Sequence, residues 1–140
     1  MTNRATVVTT ADQARLRNGI NVMVGDSGVG EWASVRRLED ALQHAQTLDR
    51  SQIPDDVVTM NSTVLLRDLE NETVRMYTLV YPSYAAAEDD MISVLTPLGT
   101  ALLGARAGDE VEYEDVGGLS HRLAVADVLY QPEAAGHAFL

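Results

Sequence analysis

Three histidines, two runs of carboxylates and a set of tyrosines are the side chains in this 140-residue chain whose types could support chemistry. His44, His121 and His137 stand far apart. None lies three or four residues from another His or within a Glu-x-x-His pattern, the spacing that brings two ligands onto one metal ion. Each reads better as a surface or hairpin residue. Asp55-Asp56 and Glu88-Asp89-Asp90 are dense enough in carboxylate to hold Mg²⁺ or to exchange protons. Both stand in turns beside element starts, where acids cap helices and solvate loops. No Gly-x-Ser-x-Gly marks a serine nucleophile. The absence of cysteine excludes disulfides, thiolate ligands and thiol nucleophiles. Gly25-Asp26-Ser27-Gly28-Val29-Gly30 lacks the Lys-Ser/Thr ending of a phosphate loop. Tyr77, Tyr81 and Tyr84 are spaced for strand packing rather than as a platform for nucleic-acid bases. The residues predict no catalytic centre, no metal and no cofactor.

The placement of charge says more than its total of −11. Residues 1–50 balance six acids (Asp12, Asp26, Glu31, Glu39, Asp40, Asp49) against six Arg, whereas residues 51–140 carry fifteen acids and four Arg: Arg67, Arg75, Arg106 and Arg122. Binding to DNA or RNA needs a basic face that displaces counterions, and no such face can be large here. An acidic body suits a basic protein surface, or solubility alone. No apolar run nears the ~20 residues of a membrane span. The opening MTNRATVVTT lacks the apolar core, about 7–15 residues, of a secretory signal. The expectation is a cytoplasmic protein.

The elements that must carry these residues fall into two parts. Thr10 with Gln13 fits a capping box, and Leu16, Ile20 and Met23 follow at helical steps. The Gly-rich turn comes next. Trp32, Val35, Leu38, Leu42 and Ala45 then recur at steps of three and four, close to a coiled-coil seam. Two arms of about 15 residues, at about 1.5 Å rise each, predict an antiparallel hairpin of roughly 20–25 Å. Trp32 is expected to pack within it. Pro54 ends this part. Short β-type segments follow at Val57–Met60, Thr63–Arg67, Val74–Tyr81, Glu110–Glu114 and His121–Tyr130, with a polar turn at Asp68–Glu72 and Gly117-Gly118 at a second hairpin. Thr96 as N-cap, Pro97 at the first helical position and Gly104 past the end delimit one short helix. The predicted fold is α+β: a short N-terminal antiparallel coiled-coil hairpin over residues 1–50, then an antiparallel β-sheet domain with one short helix over 51–140.

Several blocks of the second part resemble the regulator of nucleoside diphosphate kinase (Rnk) family. They are Asp56–Ser62, Arg67-Asp68, Thr78–Pro82, Ile92–Gly104 with Gly108-Asp109, and Tyr130–Gly136. The stretch Ile92–Asp109 also resembles the C-terminal domain of the transcript-cleavage factors GreA and GreB. The resemblance implies an FKBP-like fold for residues 51–140 and a coiled-coil finger before it. It implies docking on core RNA polymerase at the rim of the secondary channel, through Leu95, Thr96, Pro97 and Leu98. In the Gre factors, acidic residues at the finger tip help hold a catalytic Mg²⁺ in the polymerase.

Asp26 and Glu31 are the acids near the tip here, in a loop unlike the Gre tip motif. The arms are roughly half as long as a Gre finger, a deficit of roughly 20 Å against the ~2–2.6 Å reach of a metal–oxygen bond. The expectation is therefore a non-catalytic regulator that competes with Gre factors without stimulating cleavage. Any effect on nucleoside diphosphate kinase would be indirect, since no Asn-x-His-Gly-Ser-Asp run is present. Two rivals stand beside it. One is direct modulation of that kinase as a partner. The other is a peptidyl-prolyl isomerase, which would need an aromatic-lined pocket that the lone Trp32 and lone Phe139 are badly placed to supply.

Overall fold

The structure is a computed structural model that describes residues 6–26, 32–82, 90–115 and 117–136, with side chains left aside from 20 to 26 and at Trp32. Glu31, Tyr84, Glu88, Asp89, His137 and Phe139 lie outside the described residues, as do the side chains of Asp26, Ile20, Met23 and Trp32.

The chain opens with β1 (Val7–Thr9), α1 (Thr10–Asp26), α2 (Trp32–Gln43) and β2 (Gln46–Leu48). The N-cap of α1 is Thr9 rather than Thr10. Its Oγ1 accepts from Asp12 N at 3.0 Å, so the cap falls one residue earlier than the sequence pattern suggested. Thr10 instead donates to Leu48 O at 3.4 Å, and Gln13 Nε2 donates to Leu42 O at 3.1 Å. These bonds set the start of α1 beside the end of α2. The predicted second arm also stops sooner, because Gln46–Leu48 pairs in parallel with Val7–Thr9. That pairing takes up backbone groups that a longer helix would have bonded internally.

The second part is β3 (Thr63–Asp68), β4 (Val74–Val80), β5 (Met91–Ser93), α3 (Pro97–Leu102), β6 (Glu110–Glu114), β7 (Ser120–Tyr130) and the single turn α4 (Pro132–Ala135). The strand order is β5-β4-β3-β7-β6. The sheet is mixed rather than antiparallel, because β5 joins β4 in parallel. A strand of three residues offers too little alternation to be read from sequence. Val57–Met60 is not a strand either: Val57 alone bridges to Arg106. Asn61 there takes φ 68°, and Ser62 Oγ accepts from Thr59 N at 2.9 Å, closing a turn.

One core serves both parts. Leu16, Val35, Leu38 and Leu42 from the helices pack with Val58, Met60, Val64, Leu79, Leu102 and Val125. Leu38, Val64, Leu79 and Leu102 are fully excluded from solvent, and each such side chain contributes about 1.5–3 kcal/mol of burial free energy. Arg36, Glu39, Asp40 and Gln43 on α2 are exposed, as its periodicity requires.

Candidate docking surface

The loop entering α3 is fixed by short side chains. Ser93 Oγ accepts from Leu95 N at 3.0 Å, and Thr96 Oγ1 donates to Ser93 O at 2.7 Å while accepting from Gly99 N at 3.0 Å. Thr100 Oγ1 donates to Val94 O at 2.6 Å. Only glycine fits at position 99, since a Cβ there would stand 2.0 Å from Ser93 O. These bonds satisfy the first-turn donors of α3 and hold its N-terminus in one conformation.

The structure separates the four expected docking residues. Leu95 is buried in the core at 9% exposure, and its carbonyl accepts from Arg37 Nη1 at 3.4 Å. Thr96 is exposed, and Pro97 and Leu98 are half-buried. Each of the last three borders a different depression. Thr96 meets one of 400 Å³ with Tyr77, Asp90 and Met91, and Pro97 one of 460 Å³ with Arg37, Asp40 and Tyr113. Leu98 borders a third, of 250 Å³, with Tyr77, Tyr113 and His121.

The third depression holds aromatic residues that were not singled out from sequence as a group. Tyr113 and His121 face each other across the β6–β7 hairpin, with ring centroids 4.9 Å apart and planes at 17°. His121 Nε2 lies 2.8 Å from Asp115 Oδ2. That contact, with backbone N–H groups of Leu119 and Gly117, holds the Asp115 carboxyl below the usual carboxylate range. Partial burial, then the neighbouring Tyr77 and Asp115, push the Tyr113 hydroxyl up. The Arg75 guanidinium sits 5.3 Å from the Tyr77 ring centroid and 3.4 Å from Asp90 Oδ1. Counting outward from Gly117-Gly118 as a two-residue turn would pair Tyr113 with Arg122; the observed register is centred on Gly117 and sets Tyr113 opposite His121. The convergence of Tyr77 needed the sheet order.

Two other candidates have structural partners. Asp56 pairs with Arg106 at 3.1 Å, and His44 Nδ1 lies 2.9 Å from Asp40 O. Among the described residues no group of three or more His, Asp or Glu could hold a metal ion, and no helix is long and apolar enough to cross a membrane.

A second polar cluster lies where helices and sheet meet. Asp12, 4% exposed, accepts from Met60 N at 3.1 Å. Thr59 Oγ1 donates to Glu133 Oε1 at 2.6 Å, and Gln131 Nε2 donates to Pro54 O and Val57 O, both at 2.8 Å. Burial raises the Asp12 carboxyl to about 6, against the Met60 N–H bond that lowers it. Burial beside Asp12 likewise pushes Tyr81 up to about 12.

The mixed sheet and its capped helix, joined to two helices by one core, make this an α+β protein, and Gre-type transcription factors are among its structural neighbours. A solved structure described as a prokaryotic transcription elongation factor GreA/GreB from Nitrosomonas europaea is 34% identical, with a TM-score of 0.71, over 89% of this chain and 99% of that one. Residues 53–130 match the family model for the C-terminal part of transcription elongation factor GreA/GreB. The regulator of nucleoside diphosphate kinase from Escherichia coli K12 is 45% identical over 103 residues, 74% of this chain and 76% of that protein. Transcription elongation factor GreA from Nitratiruptor is 40% identical over 79 residues, and the chain spans about half of its length, 48%. The chain belongs to the regulator of nucleoside diphosphate kinase family, and its residues 53–130 form a GreA/GreB C-terminal region.

Proposed function

We propose that this protein is a non-catalytic transcription regulator that binds core RNA polymerase at the secondary-channel rim and competes there with Gre factors. On this reading residues 51–140 form an FKBP-like docking domain, and residues 1–50 form a short coiled-coil finger. The observation that carries it is the bonded N-terminus of α3, which lies inside the Gre-matched residues and keeps Thr96, Pro97 and Leu98 at the surface. Leu95 then acts from beneath, holding the loop rather than touching a partner.

The arms support a role without cleavage. With α1 at 17 residues and α2 at 12, a finger of roughly 18–26 Å results at about 1.5 Å per residue. Arms of that length support a finger shorter than a Gre finger, and so a role without delivery of a metal ligand. The protein acts in the cytoplasm, uses no cofactor, and makes no sequence-specific contact with nucleic acid. Its effect on nucleoside diphosphate kinase runs through transcription.

Pro97→Asp tests the surface. The variant should melt within a few degrees of the parent yet lose binding to core polymerase, and a folded variant that binds normally would overturn the assignment. The name of the Escherichia coli relative favours a second reading, direct contact with the kinase. Co-purification of the two proteins without polymerase would support that reading over the first.

A further inference from the structure

We infer that the outer face of the five-stranded sheet, centred on Leu65, Val74 and Met76, binds a basic amphipathic helix of a second protein partner. The inference rests on the docking reading only in calling that partner the second. Alternation along the strands sorts their side chains onto two faces. Val64, Leu66, Leu79, Leu123 and Val125 point inward and share one core with Leu102 of α3. The residues between them point outward, away from α3. Register sets Met76 opposite Leu65 and Val74 opposite Arg67, with Ala124 on the far side of Arg67. Leu65, Val74, Met76 and Ala124 therefore belong to one surface across β4, β3 and β7. Val74 is 54% and Met76 53% exposed. Thr63 and Thr78 close the patch at one end, their hydroxyls bonded to each other at 2.9 Å.

Charge selects the occupant. Glu110, Glu112 and Glu114 of β6 and Asp127 of β7 stand on this same face and are exposed. The two cations of the face are already held, Arg67 by Glu72 and Arg122 by Glu110 and Glu112. Those five acids against two Arg leave three negative charges in excess. Such a border repels phosphate, which disfavours nucleic acid and anionic lipid. It also disfavours a second copy of this chain, whose matching face carries the same sign. What it attracts is Lys or Arg around an apolar centre. The shape selects a helix. Neighbouring strands lie about 4.8 Å apart and alternate residues about 6.7 Å apart, a flat patch that suits the apolar stripe of a helix. Met76 adds a side chain that adapts to what it meets.

The test uses the full chain, methyl-labelled, and two capped peptides of about 15 residues, the length at which a helix begins to hold in water. One carries Leu at steps of three and four with Lys elsewhere, and the other carries Glu in place of Lys. The basic peptide should shift the methyl signals of Leu65, Val74, Met76 and Ala124, and raising the salt should weaken it. The acidic peptide should leave those signals in place. Equal shifts from both peptides, shifts elsewhere only, or no shift at millimolar peptide would overturn the inference.

Val74→Lys and Met76→Lys, confirmed as folded by their melts, should each bind the basic peptide about tenfold more weakly. Met76→Thr keeps a strand-forming residue and should weaken it several-fold, so it decides the point where a Lys variant does not fold. Unchanged affinity in the folded variants would overturn the assignment. The same variants should bind core polymerase as the parent does. If they lose polymerase as Pro97→Asp does, this face belongs to the polymerase contact and the inference of a second partner fails. If the parent itself does not bind polymerase, the docking reading fails, and the peptide titration alone decides this face.

Discussion

Asp12 and Asp115 are the same residue type in opposite surroundings. Asp115 sits at the open rim, where His121 and two backbone N–H groups hold its carboxyl low. Asp12 is sealed between α1 and the turn at Met60, where burial outweighs its single backbone bond and raises its carboxyl to about 6. A charge costs little where water and partners remain, and much where burial outweighs the partners left to it. The rim therefore keeps ordered polar side chains at small cost in stability. The junction holds helices to sheet at a cost that depends on pH.

The largest effect expected is at the junction. Gly104 takes φ 82°, and a Cβ there would stand 2.4 Å from Thr6 Cγ2 and 2.8 Å from Val7 N. Gly104→Ala should lower stability by about 3 kcal/mol or more, read as a shift in urea midpoint, because backbone of β1 must move and the residue must keep a left-handed conformation.

Asp12→Asn should act in the other direction. The carboxyl's folded value of about 6 lies above its ordinary 3.8, so the folded state favours the protonated form. Its contribution to stability is fully present below 3.8 and is lost as pH rises through about 6. Asparagine keeps an acceptor for Met60 N–H without the charge. The variant should therefore be more stable than the parent at pH 8, by about 2–3 kcal/mol at about 1.4 kcal/mol per unit. The gain should vanish near pH 3. A gain independent of pH would show that charge is not the cause.

At the rim the effects are smaller. Thr96→Ala removes the N-cap bond to Gly99 and should cost about 1 kcal/mol in chemical denaturation. Asp115→Asn should cost least. The depressed carboxyl contributes stability above its ordinary 3.8 that is lost as pH falls below it. Melts of parent and variant should therefore converge on acidification. Divergence on acidification would contradict the rim assignment.

Local signals carried much of this fold. The cap, proline and glycine around α3 were readable because each is a short-range requirement, and Thr96 and Gly104 do what their types suggest. The β6–β7 hairpin was readable for the same reason. β1, β2 and β5 were not, since three-residue strands exist only through their parallel partners. Leu95, Thr96, Pro97 and Leu98 are adjacent in sequence, yet burial of Leu95 against exposure of Thr96 follows from the core and not from residue type. The groove was not legible, because Tyr113 and His121 meet in a register one residue away from that of a two-residue Gly117-Gly118 turn, and Tyr77 arrives from two strands further across the sheet.

The most direct test of the central claim is co-migration of the purified protein with core RNA polymerase, with and without a competing Gre factor. The account predicts a complex at micromolar concentration that the Gre factor displaces. Failure to bind, or binding that a saturating Gre factor leaves unchanged, would contradict it.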